Sequence, residues 1–286
     1  MKTREVPIVF QCEQQSLIGV VHLPEKPKKI AIISIVAGGP QYRAGFGRQL
    51  IKMARRFSAE GISVMRFDYR GLGDSSGSDA GFENIGLDLD AAIQALRKLE
   101  PMIEGIILWG GCNAASAALI HGPHHPAVTG LILANPWVRT EDNYAKVIVR
   151  DHYSKRILEP SFWWKVLTLQ YNPFPALVTL FKGLGIKGGN KPSKQSSQDN
   201  LPYIDRMLMG AQLFQGKVLL MMSDLSLTSK EFDSLVSNSN EWQKAMSRDG
   251  VERVTIKNAD QAFSTHEARE AMLLAAEKWV KDFETS

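Results

Sequence analysis

The residue with the clearest chemical potential is a cysteine, Cys112. It stands in the run Gly110-Gly111-Cys112-Asn113-Ala114, after the apolar stretch Ile106–Trp109 and before a series of small helix formers. A strand that turns sharply into a helix needs residues without bulk at the turn, and Gly110, Gly111 and Ala114 provide that. A side chain at such an elbow sits at a helix N-terminus, where free N–H groups and the macrodipole favour an anion. For cysteine this lowers the pKa and enriches the thiolate, which is the nucleophile. The chemistry would be attack on an acyl carbonyl. A plainer reading stands beside it: Cys112 as a small buried hydrophobe in a Gly/Ala-rich packing site.

Acyl transfer also needs donors for the developing oxyanion. After the strand ending at Val36 comes AGGPQYRAG. The N–H of Gly39 is the choice there, because Pro40 has no N–H. The N–H of Asn113 is the second expected donor. A further loop, FDYRGLGDSSG from Phe67 to Gly77, holds Asp68, Arg70, Gly71 and Gly73. These are read as braces for the loops around the site, without a chemical role.

The elements that must position these residues alternate. Ser16–His22, Lys29–Val36, Ile62–Asp68, Ile106–Trp109 and Gly130–Ala134 read as strands rich in β-branched residues. The N-terminal stretch is strand-like too, with Cys12 in it. Phe46–Ala59 has helical spacing of Leu50, Met53, Ala54 and Phe57. Asn84–Glu100 is amphipathic, with Leu87, Leu89, Ile93, Leu96 and Leu99 on its apolar face. Ala114–His121 starts the helix after the elbow. This rhythm implies an α/β fold: a mostly parallel sheet with helices on both faces. It stops between about Thr140 and Leu213, where helical fragments and a polar stretch, GGNKPSKQSSQDN, carry no clear strand. It resumes with strands Lys217–Met222 and Glu252–Lys257 and a helix from about Ser264 to Asp282. The expected organisation is a core of residues 1–139 and 214–286, interrupted by a helical cap at 140–213.

Composition narrows the class. The chain has 286 residues, 44 % hydrophobic and 22 % charged, ordinary for one globular domain with an insertion. No apolar run approaches the roughly 18 residues of a membrane span. The opening MKTREVPIVFQCEQQS lacks the apolar core of a signal peptide, so a cytoplasmic location is expected. Two cysteines, Cys12 and Cys112, make neither a disulfide framework nor a zinc site, and no metal or cofactor is expected. The pI of about 9.0 rests on a net charge of only +4, which does not argue for nucleic acid.

The glycine-rich loop, the D-x-R-G-x-G-x-S loop, the elbow and a C-terminal ADQAF occur in an order that resembles the α/β-hydrolase superfamily along nearly the whole chain. GGPQYRAG, WGGCNAASAAL, HYSKRILEPSFWWKVL, RMLMGAQLF and TSKEF are similar to a narrower family. It is the first of the two hydrolases associated with the exosortase A system, encoded beside bacterial exopolysaccharide and protein-sorting genes. That resemblance implies that Cys112 is the nucleophile. It also implies an acid after the penultimate strand and a histidine after the last. In this sequence MMSDLSLTSKEF sets Ser226 in the acid's place, with Asp224 two residues earlier, and Gln261 stands where the histidine belongs. Glutamine does not titrate near neutral pH and cannot shuttle a proton. An acyl-enzyme on Cys112 remains feasible while its hydrolysis should be slow, because cysteine needs less help than serine to become a nucleophile. His266, in the first turn of the last helix, and His152, in the cap, are the two candidates for a substitute base. His22, His121, His124 and His125 are not expected at the site.

Pro160–Phe181 is unusually apolar and aromatic. Core packing explains much of it, and a lid of this kind also holds acyl chains. Lys146, Arg150, Lys155, Arg156 and Lys165, with Arg43, Arg48, Lys52, Arg55 and Arg56, would favour an anionic substrate, a carrier phosphopantetheine or an acidic membrane surface if they face the cleft. The expected substrate is a small acyl ester or thioester, or a saccharide-linked one. The alternative is a hydrolase relative without catalysis that binds an acyl or saccharide ligand or a partner protein.

Overall fold

In the computed structural model, residues 2–37, 41–139 and 201–284 are described. Runs of β-branched and aliphatic residues form eight strands in one sheet. They are β1 (Thr3–Cys12), β2 (Gln15–Pro24), β3 (Ile30–Ser34), β4 (Ser63–Asp68), β5 (Gly105–Gly111), β6 (Val128–Ala134), β7 (Lys217–Ser223) and β8 (Val251–Ile256). Their order is β1-β2-β4-β3-β5-β6-β7-β8. β1 pairs antiparallel with β2, and β2 antiparallel with β4, while the remaining pairs are parallel. The inner strands are apolar along their length because both faces are covered.

Successive side chains on a strand point to opposite faces, and β5 shows the consequence. Leu108 joins one hydrophobic cluster with Ile93, Leu119, Met207 and Phe232. Ile107 and Trp109 join the other, with Met53, Phe57, Met272 and Trp279. The first face therefore carries α2 (Gly86–Leu99), α3 (Asn113–His121), α4 (Tyr203–Leu213) and α5 (Leu227–Ser237). The second carries α1 (Gln49–Ala59) and α7 (His266–Glu284).

Three sequence expectations are modified. On α2, Leu87 and Leu99 point outward, while Ala92, and Ile85 just before the helix, are buried in the core. Between β7 and β8 lie two helices that the periodicity did not reveal, α5 and α6 (Asn240–Met246). Their starts are marked by serine caps: Ser226 Oγ accepts the Ser229 N–H, and Ser239 Oγ accepts the Trp242 N–H. Within the segment expected as a cap, residues 140–200 lie outside the described residues, and α4 packs directly on α3. A Cβ at Gly210 would fall 1.8 Å from Leu119 O, so only glycine permits that approach. The two flanks of the segment meet, since Tyr203 Oη donates to Arg139 O at 2.9 Å.

Candidate functional site

The C-terminal ends of β5, β6, β7 and β8 converge on one edge of the sheet, where open α/β sheets place their ligands. Cys112 joins β5 to α3 there with φ 57 and ψ −127. A non-glycine residue at positive φ is costly and persists only where its surroundings fix it. Here the Cys112 N–H donates to Ala134 O at 2.8 Å, and the Trp137 N–H donates to Cys112 O at 3.3 Å. Trp137 is itself tied to α3, since its N–H donates to Ser116 Oγ at 3.0 Å and its carbonyl accepts from that hydroxyl at 2.7 Å. Gly110 is obligatory, because a Cβ would lie 2.4 Å from Ala114 O. Gly111 is not crowded in the same way, its nearest neighbour being 3.9 Å away.

The sulfur has two donors among the described residues. Gln261 Nε2 lies 3.1 Å from Cys112 Sγ, and the Asn113 N–H also points at it. Gln261 is held at three points. Its Oε1 accepts from Thr228 Oγ1 at 3.1 Å, its Nε2 faces the sulfur, and its backbone carbonyl accepts from Asn135 Nδ2 at 3.0 Å. Asn135 is fully buried at φ 48, a conformation asparagine tolerates better than most residues. It also donates to Ser223 Oγ at 2.8 Å, and its Oδ1 accepts from the Ser223 N–H at 2.8 Å and from Ser229 Oγ at 2.6 Å. One side chain thus fastens the end of β6 to the end of β7, to α5 and to the loop carrying Gln261. On the other side, Gln49 of α1 donates to the carbonyls of Ala262 and Phe263.

The expected enrichment of thiolate is overturned. Burial pushes the Cys112 thiol above its ordinary pKa, and the Asn113 and Gln261 N–H groups only partly offset this. Burial raises the Cys12 thiol as well; that residue is only 3 % exposed, at the end of β1.

The structure does not bring Ser226 or Asp224 to Gln261. Ser226 is buried as the cap of α5, and the contact with Gln261 is made two residues later, by Thr228. Asp224 Oδ1 accepts the Ala259 N–H at 3.1 Å. Burial acts to raise that carboxyl, but the N–H groups of Asn258 and Ala259 outweigh it and hold the pKa below the usual carboxylate range. Gly39 and His152 lie outside the described residues. His266 is exposed at the start of α7. His22 is buried between β1 and β4, its Nε2 accepting from Arg66 Nε at 2.9 Å. His121 ends α3, with His124 and His125 just beyond it.

The loop after β4 braces as expected. Asp68 is fully buried and accepts from the N–H and the guanidinium of Arg43. Arg70 is bonded to Asp88 at 2.9 Å, and a Cβ on Gly73 would lie 2.3 Å from Asp68 Oδ2. Of the cations from Arg43 to Arg56 expected at the cleft, Arg43, Arg55 and Arg56 are held by carboxylates, while Arg48 and Lys52 are exposed. Arg43 pairs with Asp68 and Asp74, Arg55 with Glu5, and Arg56 with Glu270 and Glu277. The other cations, from Lys146 to Lys165, lie outside the described residues.

A cavity of about 620 Å³ opens beside Cys112. It runs between the sheet and the second-face helices. Leu50 and Met53 of α1, Met272 of α7 and Trp109 of β5 give it apolar walls, and Asn113 and Gln261 stand at its polar end. Such a shape admits an acyl chain with its carbonyl at the sulfur. Among the described residues, no group of acidic, histidine and cysteine side chains could hold a metal, and no helix is long and apolar enough to cross a membrane.

Sequence reasoning missed Thr228, Asn135 and Gln49. Asn135 had a signal, an asparagine before proline directly after a strand, which marks a turn open to positive φ. Thr228 and Gln49 had none.

The sequence matches the model of the family described as serine aminopeptidase, S33, over residues 30–197, more than half of the chain. No curated protein matches it. Among solved structures, an esterase of Pyrococcus furiosus is similar at 14 % identity and a TM-score of 0.64, over 98 % of this chain and 93 % of that one. The α/β hydrolase GrgF from Penicillium sp. sh18 is similar at 15 % identity and a TM-score of 0.63, over 99 % of both chains. A putative hydrolase from Agrobacterium vitis gives 16 % identity and a TM-score of 0.57, over 97 % of this chain and 99 % of that one. At these identities the likeness establishes the fold, which is that of the α/β hydrolases.

Proposed function

The chain belongs to the serine aminopeptidase, S33, family of α/β hydrolases, and on that premise we propose that it acts on an acyl ester or thioester through a covalent intermediate on Cys112. The observation that carries the reading is Gln261 Nε2, 3.1 Å from Cys112 Sγ at the polar end of an apolar cavity. Gln261 occupies the place of a catalytic histidine and Thr228 that of the acid. The triad is degenerate: acylation proceeds through the thiolate, and hydrolysis of the acyl-enzyme is slow for lack of a base.

The oxyanion donors in this reading are the N–H groups of Gly39 and Asn113. The helical cap expected at 140–213 belongs to this reading, and residues 140–200 of it lie outside the described residues. The esterase named among the similar structures supports an acyl substrate. The likeness of GGPQYRAG, WGGCNAASAAL and TSKEF to the first exosortase A-associated hydrolase supports a link to bacterial exopolysaccharide and protein sorting, with a saccharide-linked acyl group or an acidic membrane surface as its setting.

The second reading, a hydrolase relative that only binds its acyl or saccharide ligand, is favoured by the same glutamine. Stopped-flow mixing with p-nitrophenyl octanoate separates the two. Acylation of Cys112 predicts a burst of about one p-nitrophenolate per chain, followed by slow turnover, and no burst in Cys112→Ala. An identical trace from wild type and Cys112→Ala, with the ester still bound, supports binding alone.

A further inference from the structure

Oxygen esters and thioesters make different demands at the leaving atom. An alkoxide is the conjugate base of an acid about as weak as water, and departs only when handed a proton. A thiolate belongs to an acid of pKa about 8.5 and departs without one. The same holds for the incoming group: water needs a base to remove its proton, whereas a thiol ionises into solvent unaided.

The group that faces Cys112 Sγ cannot move a proton. It is the amide of Gln261, a donor that keeps its hydrogens. Its orientation is built. Thr228 donates to its Oε1 at 3.1 Å, which leaves the NH₂ end toward the sulfur, and the buried Asn135 clamps its backbone carbonyl at 3.0 Å. A fixed N–H donor stabilises a thiolate at Sγ, both before attack and after the acyl group has departed. Among the described residues, no histidine lines the cavity.

Resting on the acyl-enzyme reading above, we infer that this site is a thioester-selective acyltransferase: Cys112 accepts an acyl group from a thioester and passes it to a second thiol rather than to water. In the first step Cys112 loses its proton to solvent, and the thiolate attacks the carbonyl carbon. The carbon–sulfur bond of the donor breaks, and the departing thiolate keeps the electron pair and takes a proton from solvent. In the second step an acceptor thiolate attacks the Cys112 thioester, and Sγ leaves as the thiolate held by Gln261 and Asn113. Nothing is oxidised or reduced, and one thioester is exchanged for another.

The test uses the full chain with S-octanoyl-N-acetylcysteamine and ethyl octanoate as matched donors, reading the octanoyl adduct by intact mass. The thioester should acylate at least about 10²-fold faster, the contribution that general acid catalysis would otherwise supply to the ester. In Gln261→His that ratio should shrink at least about tenfold, which separates the site from the bare reactivity of any thiol. A chase with millimolar N-acetylcysteamine should clear the adduct at least about tenfold faster than buffer alone. Equal acylation by the two donors, an unchanged ratio in Gln261→His, or clearance by buffer as fast as by thiol overturns the inference. Fast clearance by buffer that is lost in His152→Ala overturns it by supplying the missing base. If neither donor leaves an adduct while iodoacetamide still alkylates Cys112, the acyl-enzyme reading itself falls.

Discussion

Thr228 Oγ1 donates to Gln261 Oε1 at 3.1 Å, and so decides which end of the glutamine amide faces Cys112. In a triad that position belongs to the acid that orients a histidine. Under the proposed function the geometry of a relay is kept, and the residues that would move protons through it are not.

Restoring the relay should therefore depend on position 228 and not on 226. Gln261→His with Thr228→Asp should raise steady-state hydrolysis of p-nitrophenyl octanoate by at least about 10²-fold. Gln261→His with Ser226→Asp should do no better than Gln261→His alone, since Ser226 caps α5. Ser226→Ala should cost about 1 kcal/mol of stability in urea unfolding and leave the burst amplitude unchanged. Equal gains from the two double variants would return the acid's place to Ser226.

Asn135 should matter to both folding and acylation. Asn135→Ala leaves the buried Ser229 hydroxyl without its acceptor and leaves the Ser223 N–H only its 3.2 Å bond to Ser229 Oγ, a loss of about 1–3 kcal/mol for the unsatisfied hydroxyl. It also releases the Gln261 carbonyl. Denaturant titration should show the destabilisation. Stopped-flow acylation should be slowed while the rate of Cys112 alkylation by iodoacetamide stays close to wild type. Equal slowing of both reactions would make Asn135 a purely structural residue.

The two cysteines should differ in access more than in acidity. Burial raises both thiols, but Cys12 lies inside β1 and Cys112 opens on the cavity. Limiting iodoacetamide should mark Cys112 first. Its rate should keep climbing with pH beyond the point where a free thiol levels off, because the folded pKa is raised. A plateau below that point would mean an activated thiolate and would contradict the effect of burial derived above.

Acid stability should follow two histidines. Burial, with Arg66 beside His22 and Arg206 beside His121, holds both neutral down to about 4. In the unfolded chain they titrate at about 6.5. Between those values the unfolded chain binds more protons, so stability is complete above about 6.5 and drains as the pH falls toward about 4. Glu5 opposes the effect at His22, while Arg55 adds to it. The urea midpoint should drop between about pH 6.5 and 4.5, and the drop should be smaller in His22→Gln with His121→Gln. An equal drop in that variant would assign acid sensitivity to the carboxylates.

Much of this site is legible in the sequence because its parts are local. Gly110, Cys112 and Ala114 report a strand-to-helix turn by their sizes and spacing, and Gln261 stands out against a family pattern only a few residues long. The partner of Gln261 is harder to read. The residue that meets it depends on where α5 begins, and the cap at Ser226 sets that start two residues before Thr228. Short helices such as α5 and α6 carry too few turns for periodicity to reveal them. Asn135 acts across sequence separations of 88 to 126 residues, and only the paired ends of β6 and β7 bring those partners together. The state of the thiol was misread for a related reason. A helix N-terminus can be inferred from sequence, whereas the burial that outweighs it is a property of the packed molecule.

In the proposed function Cys112 takes up an acyl group and holds it. Peptide mapping by mass spectrometry after incubation with S-octanoyl-N-acetylcysteamine tests it most directly. An acyl-enzyme on Cys112 gives about one octanoyl group per chain, located on the peptide containing Cys112, persisting in buffer, and absent in Cys112→Ala. An unmodified Cys112 peptide, or octanoyl on another residue with Cys112 free, would contradict it.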